Sequence, residues 1–331
     1  MYSFKKLKQG RKVWGIGLLF CAALLWASAC QNSKESTLTT SPEKVISPEA
    51  ALSVPARPKV LRFGLTPYLP KEQMRKQFEP LAEYLSKELN IRIKLVFSNS
   101  YANLTKLLKN KKIELAVLSP LAYVEAKKIN EDLQPLVTHI ADGSSTYVGY
   151  IVAPIGTKAE HVRDLKGAKF AFVDQQSASG FLYPKAYMIR EGIKAEEHFK
   201  KIRFAGNHTK VLKWIESGYV DAGATYSTAL KLAAGDADAG LGFKVLAKTG
   251  RIPYDAYCAS SAVSDSLALE IKEIFKNLST RTKIGRQVLG GVIAINGFVE
   301  VDDAHYDEVR EVARLMDSQL PNSVDSGIYK P

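Results

Sequence analysis

From residue 60 onward, short apolar segments alternate with longer ones in which apolar residues recur every three or four positions. Residues 60–66, VLRFGLT, alternate apolar and polar side chains, which is typical of a half-buried β-strand. Residues 71–89 carry apolar side chains at helical spacing, namely Met74, Phe78, Leu81 and Leu85. Strand and helix patterns then follow in turn at 91–97, 101–112, 113–119 and 120–129. This alternation predicts an α/β fold with helices packed on a sheet.

The alternation continues after a predicted strand pair, in which residues 133–140 and 146–154 flank the turn ADGSS. Further strand and helix patterns cover 164–174, 179–192, 201–206, 208–218, 219–226, 227–235, 243–263, 265–278 and 302–320. We therefore expect two lobes, each a mainly parallel sheet flanked by helices. Lobe 1 is predicted to comprise 59–152 plus 254–331 and lobe 2 to comprise 153–253, so that the chain crosses twice between them.

The first 29 residues differ from the rest, because basic residues precede an apolar stretch at 13–29. A basic segment, an apolar segment and then small residues predict a secretory signal peptide at 1–29. The small residues end in ASAC, which resembles a bacterial lipobox and predicts lipidation of Cys30, although Ala27 stands where leucine is usual. The alternatives are an ordinary cleaved signal and an uncleaved anchor. Residues 30–58 are rich in Ser, Thr, Pro and Glu, which predicts a disordered tether.

Charge and cysteine content narrow the function. The formal net charge is +12, and +7 remains without the basic residues of the signal peptide. The basic residues are spread over many helices without a nucleic-acid-binding motif, so we expect no nucleic acid partner and, instead, steering of anions. Once Cys21 is removed and Cys30 is lipidated, Cys258 has no partner for a disulfide. The sequence contains no HExxH, GxSxG, CxxC or P-loop motif, so we expect no enzymatic activity, cofactor or metal.

The stretch VDQQSASGFLYP at 173–184 places two serine hydroxyls and a glycine between a predicted strand and a predicted helix. The first turn of a helix has unpaired N–H groups and a partial positive charge, and nearby hydroxyl donors suit a phosphate-like anion. Gly180 is expected to let a ligand approach the main chain closely. The simpler interpretation is that Ser177 or Ser179 only caps the helix.

Two other strand-to-helix turns favour the anion interpretation. Ser119 lies at such a turn in LSPLAYVEA, and His208 begins a helix after the predicted strand at 201–206. A ring N–H of His208 is placed to reach an anion held at a neighbouring helix start. Among the tyrosines near predicted strand ends, Tyr101 and Tyr226 are the best candidates for ligand contact, because a phenol offers a flat wall and a donor.

These segments resemble the periplasmic phosphate-, phosphite- and phosphonate-binding proteins of ABC transporters. The resemblance covers most of residues 60–258 and rests on SYANLTKLLKNKKIELAVLSPLAYVEA, DLKGAKFAFVDQQSASGFLYPKAYMIREGI, FKKIRFAGNHTKVLKWIESGYVDAGATY and GRIPYDAY. The hydroxyl-rich SASG before a helix and the Gly-x-His of the third segment are the specific pieces. The resemblance implies a type II periplasmic-binding-protein clamp, whose two lobes close on an oxyanion.

Carried over residue by residue, the resemblance implies an anion site made of Ser177, Ser179, His208, the main chain of Ala178, and Tyr101 from the opposite lobe. The sequence departs from the family at three positions. Ala178 replaces a common threonine, Leu118 stands where a tyrosine sometimes contacts the ligand, and Thr228 stands where aminophosphonate-binding members place an acid. Asp255 matches a second acid that such members use for the ammonium group. These departures favour phosphate, phosphite or a simple alkylphosphonate over an aminoalkyl ligand.

We therefore predict a monomeric solute-binding protein of the cell envelope, periplasmic or on the outer surface, that captures a small phosphorus oxyanion. Its partners are predicted to be an ABC permease with its ATPase, and the membrane through the lipid on Cys30. One alternative is a binding protein of the same fold for another small ligand, such as a sulfonate or a vitamin precursor. Another is a surface lipoprotein with a signalling or adhesion role.

Overall fold

The computed structural model describes residues 57–234, 242–291, 293 and 295–319. The predicted signal peptide, the predicted lipidation site Cys30 and nearly all of the predicted tether lie outside the described residues. Within the described ranges, no helix has both the length and the apolar character needed to cross a membrane.

The described strands form two sheets. The strands are β1 Val60–Leu65, β2 Arg92–Phe97, β3 Leu115–Leu118, β4 Gln134–Ala141, β5 Thr146–Pro154, β6 Lys169–Phe172, β7 Lys201–Phe204, β8 Ala222–Tyr226, β9 Phe243–Pro253, β10 Ala256–Ala259 and β11 Ile295–Glu300. The first sheet has the order β11-β4-β10-β3-β1-β2 and the second has the order β7-β6-β8-β5-β9. Strands β1, β2 and β3 pair in parallel, as do β6, β7 and β8, and the remaining pairs are antiparallel. The predicted α/β architecture with two sheets flanked by helices is confirmed. The sheets are mixed and not mainly parallel as predicted, because four of the nine described strand pairs are parallel and five are antiparallel.

The helices are α1 Lys71–Leu89, α2 Tyr101–Lys109, α3 Pro120–Ile129, α4 Tyr183–Arg190, α5 Ala195–His198, α6 His208–Glu216, α7 Ser227–Ala234, α8 Asp265–Asn277, α9 Lys283–Leu289 and α10 Asp307–Gln319. Several begin where the sequence offers a capping side chain. Ser100, Ser119, Asn207 and Ser264 each accept a hydrogen bond from a main-chain N–H of the first turn. A short π-helical segment, Ala178–Leu182, leads directly into α4.

The chain crosses between the two sheets at residues 142–145 and again at 254–255. The predicted pairing of β4 with β5 is wrong, because β4 pairs with β10 and β11 whereas β5 pairs with β8 and β9. Asp142 and Gly143 both adopt left-handed backbone, with φ of 50° and 73°, and the chain passes through this turn into the second sheet. The first crossing therefore precedes β5, whereas the boundary predicted after residue 152 falls inside that strand.

The C-terminal elements join the two lobes. Helix α8 packs on β4 and β11 of the first sheet, as predicted for the C-terminal region, but α9 and β11 were not predicted. Helix α10 contacts α3 of the first lobe and also α4 and the π-helical segment of the second lobe.

The carboxyl ends of the parallel strands in both sheets face the cleft between the lobes. Tyr68 follows β1, Ser119 follows β3, Ser177 follows β6 and His208 follows β7, and each of these residues contributes to a single cavity. This edge of an α/β sheet is where ligands bind in open α/β folds.

Candidate ligand-binding site

A small cavity between the two sheets brings together the predicted site residues. Its volume is about 40 Å³, which is room for a ligand of a few heavy atoms. The side chains that line it are Tyr68, Tyr101, Ser119, His139, Tyr147, Ser177, Ser179, His208, Tyr226, Tyr254, Asp255 and Ile293. Of the predicted contacts, only Ala178 is absent from this lining, so the predicted contribution of its main chain stays a prediction.

The SASG turn presents both hydroxyl and main-chain donors. The Ser177 hydroxyl accepts the N–H of Gly180 at 3.0 Å, and the Ser177 carbonyl accepts the N–H of Leu182 at 3.0 Å. Within the described part of the chain, the N–H groups of Ala178 and Ser179 have no partner. Ser177 therefore caps the turn with a lone pair and still has its proton to donate.

Gly180 packs tightly against the strand that precedes the turn. A Cβ atom at this position would lie 2.4 Å from the side chain of Val173 and 2.8 Å from the Ser177 hydroxyl. The Gly180 carbonyl also accepts the Val173 N–H at 3.0 Å. The glycine is needed because the turn packs directly on the end of β6, and its predicted role in ligand approach stays a prediction.

The ring of His208 is held in one orientation by a neighbouring hydroxyl. Its Nδ1 lies 3.2 Å from the Thr225 Oγ1, and both side chains are buried. If the threonine hydroxyl donates to Nδ1, both groups are satisfied and Nε2 carries the remaining ring proton. Burial lowers the pKa of His208 to about 3, so the ring is a neutral donor at physiological pH.

Aromatic rings form a continuous wall of the cavity. Tyr147 stacks on Tyr254 with ring centroids 4.8 Å apart, and it meets Tyr226 edge-on at 5.6 Å. Tyr226 in turn contacts the His208 ring at 4.6 Å. The Tyr147 hydroxyl donates to Ser179 Oγ at 3.4 Å, which leaves the proton of Ser179 free for a ligand.

Asp255 supplies the carboxyl group of the cavity lining. Burial raises its pKa to about 7, although part of its surface remains open to the cavity. Among the described residues no side-chain donor bonds this carboxyl, and no lysine or arginine lines the cavity with it. The carboxyl group is thus poised near the point of half-protonation at neutral pH.

Ser119 differs from the two serines of the SASG turn. It lines the cavity, but its hydroxyl donates to the carbonyl of Gln176 at 2.8 Å and accepts the N–H of Ala122 at 3.4 Å. A serine has one proton, so this hydroxyl has none left to donate to an anion. The structure places Ser119 beside the site without giving it the donor role that the sequence suggested.

Two residues of the lining, His139 and Ile293, carry no signal that the sequence offered in advance. His139 lies on β4, is 6% exposed and packs against Tyr254, with ring centroids 4.2 Å apart and the ring planes tilted by 38°. Its Nδ1 has no partner among the described residues, and burial lowers its pKa to about 3. No helix start follows this strand, so the signal that revealed Ser177 and His208 is absent at His139. No group of three or more potential metal ligands occurs in the residues that the structure describes.

A two-lobed α/β clamp with a small donor-lined cavity between its lobes is the architecture of periplasmic solute-binding proteins. Residues 63–306 match the model of the family described as "ABC transporter, phosphonate, periplasmic substrate-binding protein". The chain belongs to this family, whose members bind a small substrate for a permease and its ATPase.

A relative agrees with this assignment, and solved structures share the fold. The chain is 27% identical over 318 residues to the phosphate-import protein PhnD of Mycolicibacterium smegmatis. The matched region covers 90% of this chain and 94% of the relative. The fold is similar to that of PhnD1 from Prochlorococcus marinus in complex with methylphosphonate, with a TM-score of 0.71 and 21% identity. The superposition covers 79% of this chain and 99% of PhnD1. A binding protein component of an ABC phosphonate transporter from Pseudomonas aeruginosa gives a TM-score of 0.72, 19% identity and coverage of 79% and 87%.

Proposed function

We propose that this chain is a lipid-anchored solute-binding protein that captures a small phosphorus oxyanion in the cavity and delivers it to an ABC permease for uptake. The ligand is phosphate, phosphite or a simple alkylphosphonate, and no bond is made or broken. The observation that carries the proposal is the cluster of uncharged donors around the SASG turn. A relative named for phosphate import and a similar fold solved with methylphosphonate support the same ligand class.

The donors suit an oxyanion better than a neutral ligand. Two neighbouring helix starts of the second lobe supply the donors. They present the hydroxyls of Ser177 and Ser179, the N–H groups of Ala178 and Ser179, and the ring of His208. Tyr101 adds a phenol from the first lobe. Helix starts carry a partial positive charge, so they stabilise an anion without a lysine or arginine in the cavity.

Asp255 selects among oxyanions. A carboxylate would repel a fully deprotonated anion, but it accepts a hydrogen bond from an acidic P–OH group, or donates one when it is itself protonated. Phosphate keeps a proton at neutral pH, whereas sulfate does not. The Asp255 carboxyl and the ligand therefore share at least one proton. Phosphate supplies that proton itself, whereas sulfate binds only while Asp255 is protonated, so sulfate is disfavoured as pH rises above about 7.

A calorimetric ligand panel tests the proposal. We expect phosphate, phosphite or methylphosphonate to bind, and aminoethylphosphonate to gain nothing from its ammonium group. We expect the affinity for sulfate to fall by about tenfold for each pH unit above 7, where phosphate still carries a proton. A ligand present at about 100 times its Kd adds about 2.7 kcal/mol to the free energy of unfolding, so a thermal-shift screen gives an independent reading. If none of the phosphorus compounds binds, the proposed ligand class is wrong. A clear preference for the amine would mean that Asp255 pairs with ammonium instead.

The pH dependence of affinity tests the shared proton. Methylphosphonate loses its last acidic proton above neutral pH, whereas phosphate retains one in that range. At alkaline pH we expect the affinity for methylphosphonate to decrease by up to about tenfold for each pH unit. We expect the affinity for phosphate to decrease much less over the same range. Parallel curves for the two ligands would contradict the role of Asp255.

The lipid anchor rests on the sequence around Cys30 and is tested separately. We expect a fatty-acid analogue to label the full-length protein during growth and to leave a Cys30→Ala variant unlabelled. Equal labelling of the two proteins would contradict lipidation at this cysteine and leave the ligand site unaffected.

A further inference from the structure

Two hydrogen bonds cross the cleft beside the cavity. The Ser119 hydroxyl, at the start of α3 in the first lobe, donates to the Gln176 carbonyl of the second lobe at 2.8 Å. The main-chain N–H of His208, at the start of α6 in the second lobe, donates to the Tyr68 carbonyl of the first lobe at 3.2 Å. Each bond thus joins a loop after a strand of the first lobe to one of the two turns that present donors to the cavity.

The position of these bonds couples them to the ligand donors. Gln176 directly precedes Ser177, whose hydroxyl caps the SASG turn. His208 uses its main-chain N–H for the bond to the first lobe and keeps its ring for the cavity. A movement that separates the lobes must break both bonds.

The hydroxyl of Ser119 cannot serve the cleft bond and the ligand together. Its proton goes to Gln176, and one of its lone pairs receives the Ala122 N–H. The hydroxyl is nearly inaccessible, since Ser119 is 6% exposed. The hydroxyl can only accept one further hydrogen bond, so it cannot bond to a fully deprotonated oxygen of a ligand.

We propose that Ser119 is a positioning residue that latches the closed cleft through the Gln176 carbonyl, with the His208–Tyr68 bond as its partner, and that it does not contact the ligand. The inference rests on the proposed function for the identity of the ligand, although the latch itself concerns the ligand-free protein as well. A latch raises the population of the closed state, and the apparent affinity of every ligand rises with that population.

Substitutions at Ser119 can separate the latch from the helix cap. Ser119→Gly removes the hydroxyl but keeps an acceptable N-cap residue, and Ser119→Thr retains both the cap and the donor. Ser264→Gly is the matched control, because Ser264 caps α8 away from the cleft. Ser179→Ala removes a proposed ligand donor and leaves the Ser119–Gln176 bond intact.

The test combines calorimetry with amide hydrogen exchange on the full-length protein. In Ser119→Gly we expect affinity for phosphate and for methylphosphonate to fall by the same factor, about two- to tenfold, which is what one neutral hydrogen bond supplies. We also expect the His208 amide of the ligand-free protein to exchange at least threefold faster, because that amide is protected by the other bond of the latch. Ser119→Thr should restore both readings, and Ser264→Gly should change neither.

Two results would overturn the latch. If Ser119→Gly weakens binding while the exchange of the His208 amide stays as in the parent, Ser119 touches the ligand directly. If both affinity and exchange are unchanged, the bond to Gln176 does not hold the cleft. The exchange measurement needs no ligand, so it stands even where the phosphorus compounds of the panel fail to bind. In Ser179→Ala we expect weaker binding with unchanged exchange of the His208 amide, and faster exchange there would also count against the latch.

Discussion

Two serine turns face each other across the cleft and differ in what their hydroxyls do. Ser119 and Ser177 both follow a strand, both cap a helical turn and both line the cavity. The proton of Ser119 is taken by the Gln176 carbonyl, whereas the Ser177 hydroxyl accepts the Gly180 N–H and has the phenol of Tyr101 as its side-chain neighbour in the cavity. The same local design therefore serves closure in the first lobe and ligand capture in the second. Hydrogen-bond capacity distinguishes the two roles where the motif does not.

The largest loss of ligand affinity is expected for a substitution at Ser177. Ser177→Ala removes a donor to a charged ligand, and such bonds contribute roughly 1.5–3 kcal/mol, so affinity should fall by about tenfold or more. It also removes a cap, which costs about 1 kcal/mol of unfolding free energy. Calorimetry and thermal unfolding on the same protein separate the two losses. Ser264→Ala, a cap outside the cleft, should lower stability by a similar amount and leave affinity unchanged.

If Ser177→Ala lowers only the stability, the SASG turn is a cap and the site lies elsewhere in the cavity. The same conclusion would follow if Ser179→Ala and His208→Ala also lowered only the stability, since Ser177, Ser179 and His208 are the proposed donors of one wall. Retention of full affinity by all three variants would leave the proposed oxyanion site without support.

The next effect concerns the backbone of the SASG turn rather than its hydroxyls. Gly180→Ala would place a Cβ atom 2.4 Å from Val173, so either the turn or the end of β6 must shift. We expect a loss of about 1–3 kcal/mol in unfolding free energy, as for an overpacked core site, together with weaker ligand binding. Gly156→Ala is the control, because a Cβ atom there meets no atom within 4 Å. An unchanged melting temperature in Gly180→Ala would show that this contact does not fix the turn.

The contrast between the two serines also shows how far the sequence predicts this site. Ser177, Ser179 and His208 could be found because each lies at a strand-to-helix turn, a signal contained within a few residues. The bond between Ser119 and Gln176 joins residues 57 positions apart and depends on how the lobes close. His139 reaches the cavity from the middle of β4, where an alternating strand pattern gives no sign that one polar ring faces a ligand.

The fold shows the same division between local and distant information. The alternating patterns predicted most strands and helices, because one buried face sets their period. The partner of a strand is not contained in its own pattern, so β4 and β5 were predicted to pair although they belong to different sheets. The same limitation placed the first crossing inside β5 instead of at 142–145.

The last prediction distinguishes the donor wall of the cavity from Asp255 by their responses to pH. The donor wall does not change charge between pH 4 and 8, since the pKa of His208 is lowered to about 3 by burial. Asp255 behaves differently, because burial raises its pKa to about 7 from the usual 3.8. Between these two values the folded state binds the extra proton, so the contribution of Asp255 to stability is lost as pH rises from about 4 to 7. An asparagine at this position has no charge to bury.

Asp255→Asn should therefore melt at a temperature about 2 °C or more above that of the parent at pH 8, both measured without ligand. The difference should shrink as pH falls toward 4 and disappear only below the unfolded pKa of 3.8, where Asp255 is protonated in both the folded and the unfolded chain. Burial also lowers the pKa of His139 and His208, so both proteins lose stability in acid, but that loss cancels in the comparison. A melting difference that is independent of pH would mean that Asp255 does not titrate in this range, and the proton shared with the ligand would then have to reside on the ligand alone.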